Sequence, residues 1–321
     1  MSMLIRFPGD HQSWDDFARS LKHANIFASH AWSTVQERSG WTTHRFVDTN
    51  HSYGVQFFSK QISRLCTVGW IPGGVLGTRF KLDNEFALGF RQFFRSWSSY
   101  LRVSFPYALD VSVSADDSWR LATSPLGAKQ SVIIDLRRSP EDLIRAMGPN
   151  WRRNLKRSQR TEFEVRQLGN ADLDAVDILE EGTARLKKLR LESAQRASDV
   201  IRLLGESAVV IGVFDSSGQL VSVRGASVFA TEARDLISAT SVEGRRAYAS
   251  YRATWDLITL LHQRHLQHFD LAGIDPKGNP GVADFKRGTG GSDVLYGGEF
   301  SHSHPSVLRY PIEAVLKARS A

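Results

Sequence analysis

The sequence predicts a fold of mixed helices and strands, α/β or α+β, built as two similar halves. Three observations carry this prediction. Segments with apolar residues at helical spacing alternate with strand-like segments along the whole chain. Each half begins with helices, continues with hairpin-like strands and ends with a helix and further strands, and no low-complexity linker separates the halves. The length of 321 residues suits about two domains.

The composition narrows the class of protein and of partner. Lys and Arg number 41 against 34 Asp and Glu, and the net charge of +7 suits an anionic partner such as tRNA, a nucleotide or a phosphorylated substrate. The single cysteine, Cys66, excludes a disulfide within the chain and indicates a reducing compartment. The first residues lack the apolar segment of a signal peptide, and no run approaches the ~18 apolar residues of a membrane span. We therefore expect a cytoplasmic protein without a membrane-spanning segment.

The first half is predicted to open with two helices and to continue mainly as strands. Apolar residues recur at helical spacing over 11–24, and Ser29 is suited to cap a second helix within 27–38. The predicted elements that follow are strands at 43–47, 53–58 and 65–70, an aromatic-rich helix at 85–100 and a strand at 101–113.

The second half is predicted to repeat this pattern around a longer hairpin. Ser139 and Pro140, followed by acids at 141–142, begin a helix after the apolar strand 131–136, and the segment 150–160 is strongly basic. The further predicted elements are strands at 163–168, 208–214, 220–229 and 234–240, and helices at 173–191, 194–204, 248–265 and 306–317.

Residues 269–300 form the stretch with the clearest functional signal. Glycine and proline recur through it at a density typical of tight turns, and Phe285 and Lys286 lie among them. We predict a loop between two strands that holds Lys286 in place, where a lysine is a better functional candidate than on an exposed helix face. From these residues alone, a solvated loop lysine is an equal alternative.

Other catalytic motifs are missing from the sequence. His262 and His265 stand three residues apart on a predicted helix, but no carboxylate or cysteine with ligand spacing joins them, and His268, His302 and His304 also have the character of ordinary polar residues. We therefore predict no metal site. The sequence has no Gly-x-Ser-x-Gly elbow, no Walker loop and no strand-linked Gly-x-Gly-x-x-Gly.

Several segments resemble motifs of the FemXAB family of aminoacyl-tRNA-dependent peptidyltransferases. They span nearly the whole chain: AWSTVQERSGW, WIPGGVLG, LDVSV, SVIIDL with NWRRNLKRSQR, and FDLAGI with GVADFKRGTGG. The last two, with their spacing, are the most specific. The resemblance implies tandem domains related to the GNAT N-acetyltransferase fold, with mixed sheets flanked by helices. The first implied domain is 1–140, with a C-terminal helix at 303–321 packed on it, and the second is 141–302.

The family's reaction moves an amino acid from an aminoacyl-tRNA ester to a free amine, which is an aminolysis. Such a reaction needs the amine and the ester in near-attack geometry and a donor to the tetrahedral oxyanion. The resemblance thus implies no metal and no cofactor apart from aminoacyl-tRNA as co-substrate. The implied partners are tRNA and a small amine or peptide acceptor.

The resemblance also implies catalytic residues. The family's Phe-Lys pair matches Phe285 and Lys286, so that Lys286 would stabilise the oxyanion and Phe285 would wall the channel and exclude water. Asp110 stands where the family has an Asp followed by Pro, although Val111 follows it here. It is a candidate base or orienting group for the amine, or alternatively a strand-end cap or salt-bridge partner.

Basic residues supply candidate binding positions. Arg153, Lys156, Arg157 and Arg160 share one face at helical spacing and suit the phosphates of tRNA or of an acceptor. A solvated helix face is the alternative. Arg185 lies one residue out of register with a family arginine that binds an acceptor phosphate.

The chain departs from the family in two places. Gln36 stands where the family has a lysine that binds the diphosphate of a cell-wall precursor, and glutamine supplies no cation there. The acceptor is then expected to be another amine, such as a natural product, a dedicated small peptide or a sugar-linked amine. The family's long coiled-coil arm is also missing, since nothing in 186–204 sustains enough heptads.

A comparison with acetyl-CoA enzymes of the GNAT type bears on the cofactor. Those enzymes hold a pyrophosphate on a glycine-rich turn at a helix N-terminus. The corresponding segment here is predicted at 245–250, where Ala247 and Ala249 replace the glycines and argue against CoA. Tyr248 and Tyr251 are candidates to line the acceptor cleft instead, with core packing as the alternative, above all for Tyr251.

Three hypotheses follow for the function. The leading one is transfer of an aminoacyl group from aminoacyl-tRNA to a free amine of a small peptide, natural-product or cell-wall precursor. The second is an acyl-CoA-dependent N-acyltransferase. The third is a non-catalytic homologue that binds tRNA or acts as a scaffold.

Overall fold

The computed structural model describes residues 4–77, 80, 82–91, 96–108, 118–123, 125–187 and 195–320. Backbone contacts divide them into two compact units, the first running to Gln130 and resuming at Val294, the second spanning Ser131–Asp293. Each unit contains a sheet with flanking helices, and the predicted mixture of helices and strands is confirmed.

The first unit alternates helices and strands. In chain order it contains β1 (Leu4–Arg6), α1 (His11–Ser20), α2 (His30–Arg38), β2 (Thr42–Asp48), β3 (Tyr53–Ser63), β4 (Cys66–Ile71), β5 (Leu76–Gly77), α3 (Asn84–Arg91), β6 (Ser98–Phe105) and β7 (Arg120–Leu121). Polar side chains start both early helices, since Asp10 accepts a hydrogen bond from the Ser13 amide (2.8 Å) and Ser29 accepts one from the Trp32 amide (3.0 Å).

The second unit has more helix. Its elements are β8 (Gln130–Asp135), α4 (Pro140–Ala146), α5 (Pro149–Ser158), β9 (Glu164–Gln167), α6 (Leu173–Lys187), α7 (Ala197–Leu204), β10 (Ala208–Phe214), β11 (Leu220–Phe229), β12 (Glu232–Thr240), α8 (Val242–Arg246), α9 (Ala249–Gln263), β13 (His268–Asp270), α10 (Pro280–Arg287) and β14 (Ser292–Leu295). The chain ends in the first unit with β15 (Gly298–His304) and α11 (Arg309–Ser320).

Both sheets are mixed. The first runs β1-β2-β3-β4-β6-β15-β7, with β5 paired to β3, and β4 and β6 are parallel. The second runs β14-β8-β13-β12-β11-β10-β9, and β12 and β13 are parallel because α8 and α9 provide the crossover between them. The unit boundaries differ from the predicted 140/141 and 302/303, because β8 pairs in the second sheet and β15 in the first.

The main difference from the sequence predictions lies at 280–287. We expected loop there, and the chain forms helix α10. Pro280 occupies its first turn, and the Asn279 side chain accepts a hydrogen bond from the Val282 amide (3.4 Å). Both signals stand in the sequence, but the surrounding glycines obscured them.

Smaller differences concern element ends. Within the described residues, the predicted helix at 85–100 corresponds to α3 at its start, whereas 98–100 belong to strand β6, which also covers the start of the predicted strand at 101–113. The predicted helix at 27–38 divides into a 3-10 turn, Ile26–Ala28, and α2, because Asn25 and Ser29 each cap a separate start. Within the described residues no helix is long and apolar enough to cross a membrane.

Candidate active site

Lys286 lies in the last turn of α10 with its side chain turned inward, and the residue is 7% exposed. Its Nζ donates hydrogen bonds to the carbonyl oxygens of Ala272 (2.9 Å) and Gly273 (2.8 Å). These carbonyls belong to the turn that follows β13. An ammonium group has three N–H donors, so one remains for another acceptor.

The turn after β13 has an unusual backbone that other groups hold in place. Ala272 and Gly273 both adopt positive φ, at 53° and 73°. Asp270 accepts hydrogen bonds from the Ala272 amide (2.9 Å), from the Ser131 hydroxyl and from Arg234. The Ser131 hydroxyl oxygen in turn accepts from the Gly273 amide (3.1 Å). The turn that receives Lys286 is therefore pre-formed on both sides.

A second ion pair lies in the strands of the same unit. Arg224 in β11 and Asp235 in β12 approach to 2.8 Å between Nε and Oδ1, with side chains 5% and 11% exposed. Burial raises the pKa of Asp235, while the positive charges of Arg224 and Lys286 act in the opposite direction. Asp235 thus links Lys286 electrostatically to the strand pair.

Burial governs the ammonium group as well. It lowers the pKa of Lys286 from the ordinary value of 10.5, the negative charges of Asp235 and Asp270 oppose that shift, and Arg224 and Arg234 add to it. The Lys286 ammonium is therefore a hydrogen-bond donor that is partly removed from solvent and surrounded by charged side chains. Such a group can stabilise negative charge that develops on a carbonyl oxygen.

Phe285, which precedes Lys286 on α10, belongs to an aromatic cluster. Its ring lies 5.0 Å from that of Tyr251 and 5.8 Å from that of Trp151, and the Trp151 indole N–H donates to the Phe285 carbonyl (3.1 Å). Tyr251 and Phe285 are partly buried against a core formed by Met147, Trp151 and Leu155. Tyr251 therefore packs against both Trp151 and Phe285.

Glycines determine how the chain leaves α10. The Gly148 amide donates to the Gly288 carbonyl (2.9 Å), which joins the α4–α5 connection to the end of α10. Gly290 has a φ of +83°, and a Cβ there would lie 2.6 Å from the carbonyl carbon and oxygen of Ala146. Only glycine fits this position without a backbone shift.

The basic residues of α5 form an exposed face next to the aromatic cluster. Arg153, Lys156 and Arg157 are exposed on α5, and Arg160 is exposed just beyond its end. The Arg157 guanidinium donates to the Tyr248 hydroxyl (2.9 Å) and lies 5.4 Å from the centre of that ring. We call these four side chains the α5 basic face.

The segment predicted to correspond to a CoA loop is folded in another way. Residues 242–246 form α8, and Tyr248 takes left-handed φ and ψ of 61° and 23° just before α9. The amides of this segment already have acceptors within it: Gly244 donates to the Ser241 hydroxyl, Arg245 to Ser241, Ala247 to Glu243, Tyr248 to Arg245 and Tyr251 to Tyr248. These five amides are therefore not available to a phosphate group.

The remaining candidate residues from the sequence analysis are not among the residues that surround Lys286. Gln36 is partly buried on α2 in the first unit. Arg185, on α6, is 81% exposed in its side chain and lies 3.4 Å from Glu181 on its own helix. Asp110 lies outside the described residues. His262 Nδ1 is 2.8 Å from the Leu136 carbonyl oxygen, and His268 Nδ1 is 2.8 Å from Glu232.

The sequence indicates Lys286 and Phe285 as candidates but does not identify the charged side chains around Lys286. Arg224, Arg234 and Asp235 stand in strands, where they resemble the polar positions of an ordinary alternating hairpin. A signal existed in Arg224, since it interrupts an otherwise apolar and small-residue strand, LVSVRGASVF.

Comparisons with known proteins show the fold. No protein-family model and no curated protein sequence matches the chain. A crystal structure of FemX is similar with a TM-score of 0.82 at 13% identity, over 96% of this chain and 100% of that one. The structure of L-PGS from Bacillus licheniformis has a TM-score of 0.58 at 13% identity, over 96% and 97%. A tandem GNAT protein from the clavulanic acid biosynthesis pathway has a TM-score of 0.53 at 10% identity, over 94% and 98%. The tandem GNAT-related fold that the FemXAB resemblance implied is thereby confirmed.

Proposed function

We propose that this chain is a FemXAB-type aminoacyltransferase that moves an aminoacyl group from aminoacyl-tRNA to a free amine. The observation that carries the proposal is the inward-facing Lys286, which two backbone carbonyls hold at a pre-formed turn. A cation fixed in this way suits a carbonyl that becomes an oxyanion.

The proposed reaction is the aminolysis of an ester. The acceptor nitrogen attacks the ester carbonyl, and the C–N bond forms as the carbonyl oxygen gains negative charge. The C–O bond to the tRNA ribose then breaks, and the amine proton passes to solvent while the ribose hydroxyl is protonated. Lys286 uses its remaining N–H to stabilise the oxyanion, and Phe285 with Trp151 and Tyr251 limits the access of water to the ester.

The α5 basic face suits the nucleic-acid part of the donor. Its side chains are exposed, carry no acidic neighbour between positions 151 and 160, and border the aromatic cluster through the contact of Arg157 with Tyr248. Phosphate contacts of this kind supply affinity that falls with salt. The acceptor is proposed to be a small amine or peptide without the diphosphate of a cell-wall precursor, because Gln36 supplies no charge.

The acyl-CoA alternative has less support. GNAT enzymes hold the CoA pyrophosphate on a glycine-rich turn at the start of a helix, and here Ala247 and Ala249 replace the glycines, while the amides of Ala247 and Tyr248 donate within their own segment. We therefore expect no binding of CoA by calorimetry under conditions where uncharged tRNA binds.

A transfer assay with radiolabelled aminoacyl-tRNA and a set of amine acceptors tests the proposal. We expect Lys286→Met to lower kcat by about 10²–10³-fold, the loss typical of removing one oxyanion donor. Lys277→Met is the matched control, because Lys277 is an exposed lysine of the same 270–288 segment, and we expect it to retain full activity.

Two results would overturn the proposal. One is turnover supported by acyl-CoA and independent of tRNA. The other is equal transfer activity in Lys286→Met and the unmodified protein, which would leave Lys286 with a structural role only. Circular dichroism and thermal unfolding of both variants distinguish a lost donor from a lost fold.

A further inference from the structure

One end of the first sheet exposes a group of large apolar side chains. Ile62 and Leu65 lie at the turn between β3 and β4, and Trp97 directly precedes β6; they are 58%, 65% and 68% exposed. Single exposed apolar residues are ordinary on protein surfaces, whereas a group of them marks a place of interaction.

The strand register places Leu65 and Trp97 side by side, and Ile62 stands three residues before Leu65. Ser63 pairs with Cys66, so that Arg64 and Leu65 form the turn of the hairpin. Cys66 pairs in parallel with Ser98, which puts Leu65 and Trp97 one residue before matched positions on neighbouring strands, about 4.8 Å apart. The Ser98 amide and hydroxyl both donate to the Leu65 carbonyl (2.9 and 2.6 Å). We call Ile62, Leu65 and Trp97 the hairpin-tip patch.

Cations border the hairpin-tip patch. Arg64 is exposed within the turn. Lys60 is exposed on β3, where its Nζ donates to the Ser39 carbonyl (3.1 Å) and lies 6.0 Å from the centre of the Trp41 ring. The segments 59–67 and 96–99 contain no Asp or Glu. The patch thus combines aliphatic side chains, a tryptophan and positive charge.

We propose that the hairpin-tip patch docks on the surface of an anionic lipid bilayer. Aliphatic side chains partition to the boundary between headgroups and acyl chains, tryptophan prefers the headgroup level, and Lys and Arg are attracted by anionic headgroups. The hairpin turn needs to enter only this boundary layer.

Two other occupants fit the patch less well. Nucleic acid gains little from Ile62 and Leu65, and the α5 basic face offers it a surface rich in charge. A second copy of the chain, packed patch to patch in a two-fold contact, would bring Arg64 and Lys60 of both copies together and leave these cations without counter-charges.

Co-flotation of the full-length protein with lipid vesicles tests the proposal. We expect binding to phosphatidylcholine vesicles that contain phosphatidylglycerol, weaker binding at high salt, and little binding to pure phosphatidylcholine. The triple substitution Ile62→Ser, Leu65→Ser and Trp97→Ser is expected to lower the partition coefficient at least about tenfold. Arg64→Glu alone is expected to lower it several-fold on the anionic vesicles.

The matched control is a second triple substitution, Ile178→Ser, Leu295→Ser and Tyr310→Ser. These residues are equally exposed, at 73%, 71% and 76%, and lie outside the patch. The control is expected to bind vesicles like the unmodified protein. Aminoacyl transfer to a freely dissolved acceptor is expected to be unchanged in both triple variants, so that this inference and the proposed function fail separately.

Three outcomes would overturn the proposal. They are no co-flotation with anionic vesicles, an equal loss of binding in the control variant, and a dimer by light scattering that the patch substitutions abolish, which would assign the patch to a second copy. If the patch variant unfolds, Arg64→Glu still decides, because unchanged binding by this single surface substitution contradicts the required charge contact.

Discussion

The two units bury charge in different ways although both are built on mixed sheets. In the first, Arg102 and Glu299 pair across β6 and β15 at 3.0 Å, with side chains 2% and 7% exposed. Glu299 also accepts hydrogen bonds from the amides of Leu126 (3.1 Å) and Gly127 (2.7 Å). The Glu299 carboxylate therefore contacts an arginine of the sheet and two amides of the loop that contains Leu126 and Gly127, and it joins this loop to the sheet.

In the second unit, the pair Arg224 and Asp235 has a titratable amine as its neighbour. Lys286 reaches the cluster from α10 and contacts the backbone of a turn rather than a carboxylate. A buried ion pair can thus either anchor a loop to a sheet or lie beside a titratable group and influence its pKa. The partners of the carboxylate distinguish the two roles.

The largest expected effect comes from neutralising one carboxylate in each unit. We expect Asp235→Asn and Glu299→Gln each to lower the free energy of unfolding by about 3 kcal/mol, because each removes the charge of one member of a buried ion pair. Chemical denaturation measures both. An unchanged unfolding free energy in either variant would contradict the assignment of that pair as a buried ion pair.

A smaller effect is expected at the end of α10. Gly290→Ala should lower the free energy of unfolding by about 2 kcal/mol, because φ is +83° and the new Cβ meets the Ala146 backbone at 2.6 Å. Gly218→Ala is the control, since φ is +79° but nothing lies within 4 Å of its Cβ. We expect about 1 kcal/mol there. Equal losses would mean that the contact with Ala146 contributes nothing.

The pH dependence of aminoacyl transfer tests whether Asp235, but not Glu299, influences the pKa of Lys286. If the protonated form of Lys286 acts, activity is lost as the pH rises through its pKa, which burial places below the ordinary 10.5. The negative charge of Asp235 raises that pKa, so Asp235→Asn should move the alkaline limb to lower pH. Glu299→Gln should leave the limb in place. Rates are corrected for spontaneous ester hydrolysis, and a limb shared by all three proteins would refute the link.

The smallest effect is expected at Arg185. Its side chain is 81% exposed and its ion pair with Glu181 lies on one helix face, so Arg185→Ala should change the free energy of unfolding by less than about 0.5 kcal/mol. Thermal unfolding at matched pH measures this change. A larger loss would show that Arg185 has a structural contact, and an acceptor-phosphate role would then lose its support.

The fold class, the Phe285–Lys286 pair as candidate residues and the basic face of α5 can all be predicted from the sequence. Each depends on local information: apolar periodicity, a short motif, and charges spaced along one helix. The helix α10 was also encoded locally, by Asn279 and Pro280, and was missed because glycines on both sides predict turns.

The groups that surround Lys286 are brought together only in the tertiary structure. Asp235 and Asp270 come from separate strands, and their approach depends on the register of β12 with β13 and on the crossover through α9. The tertiary structure also shows that the amides of Ala247 and Tyr248 donate within their own segment and that Leu65 and Trp97 adjoin. The physical reason is that strand pairing joins residues distant in sequence, and the choice of hydrogen-bond partner is settled only after the strands are paired.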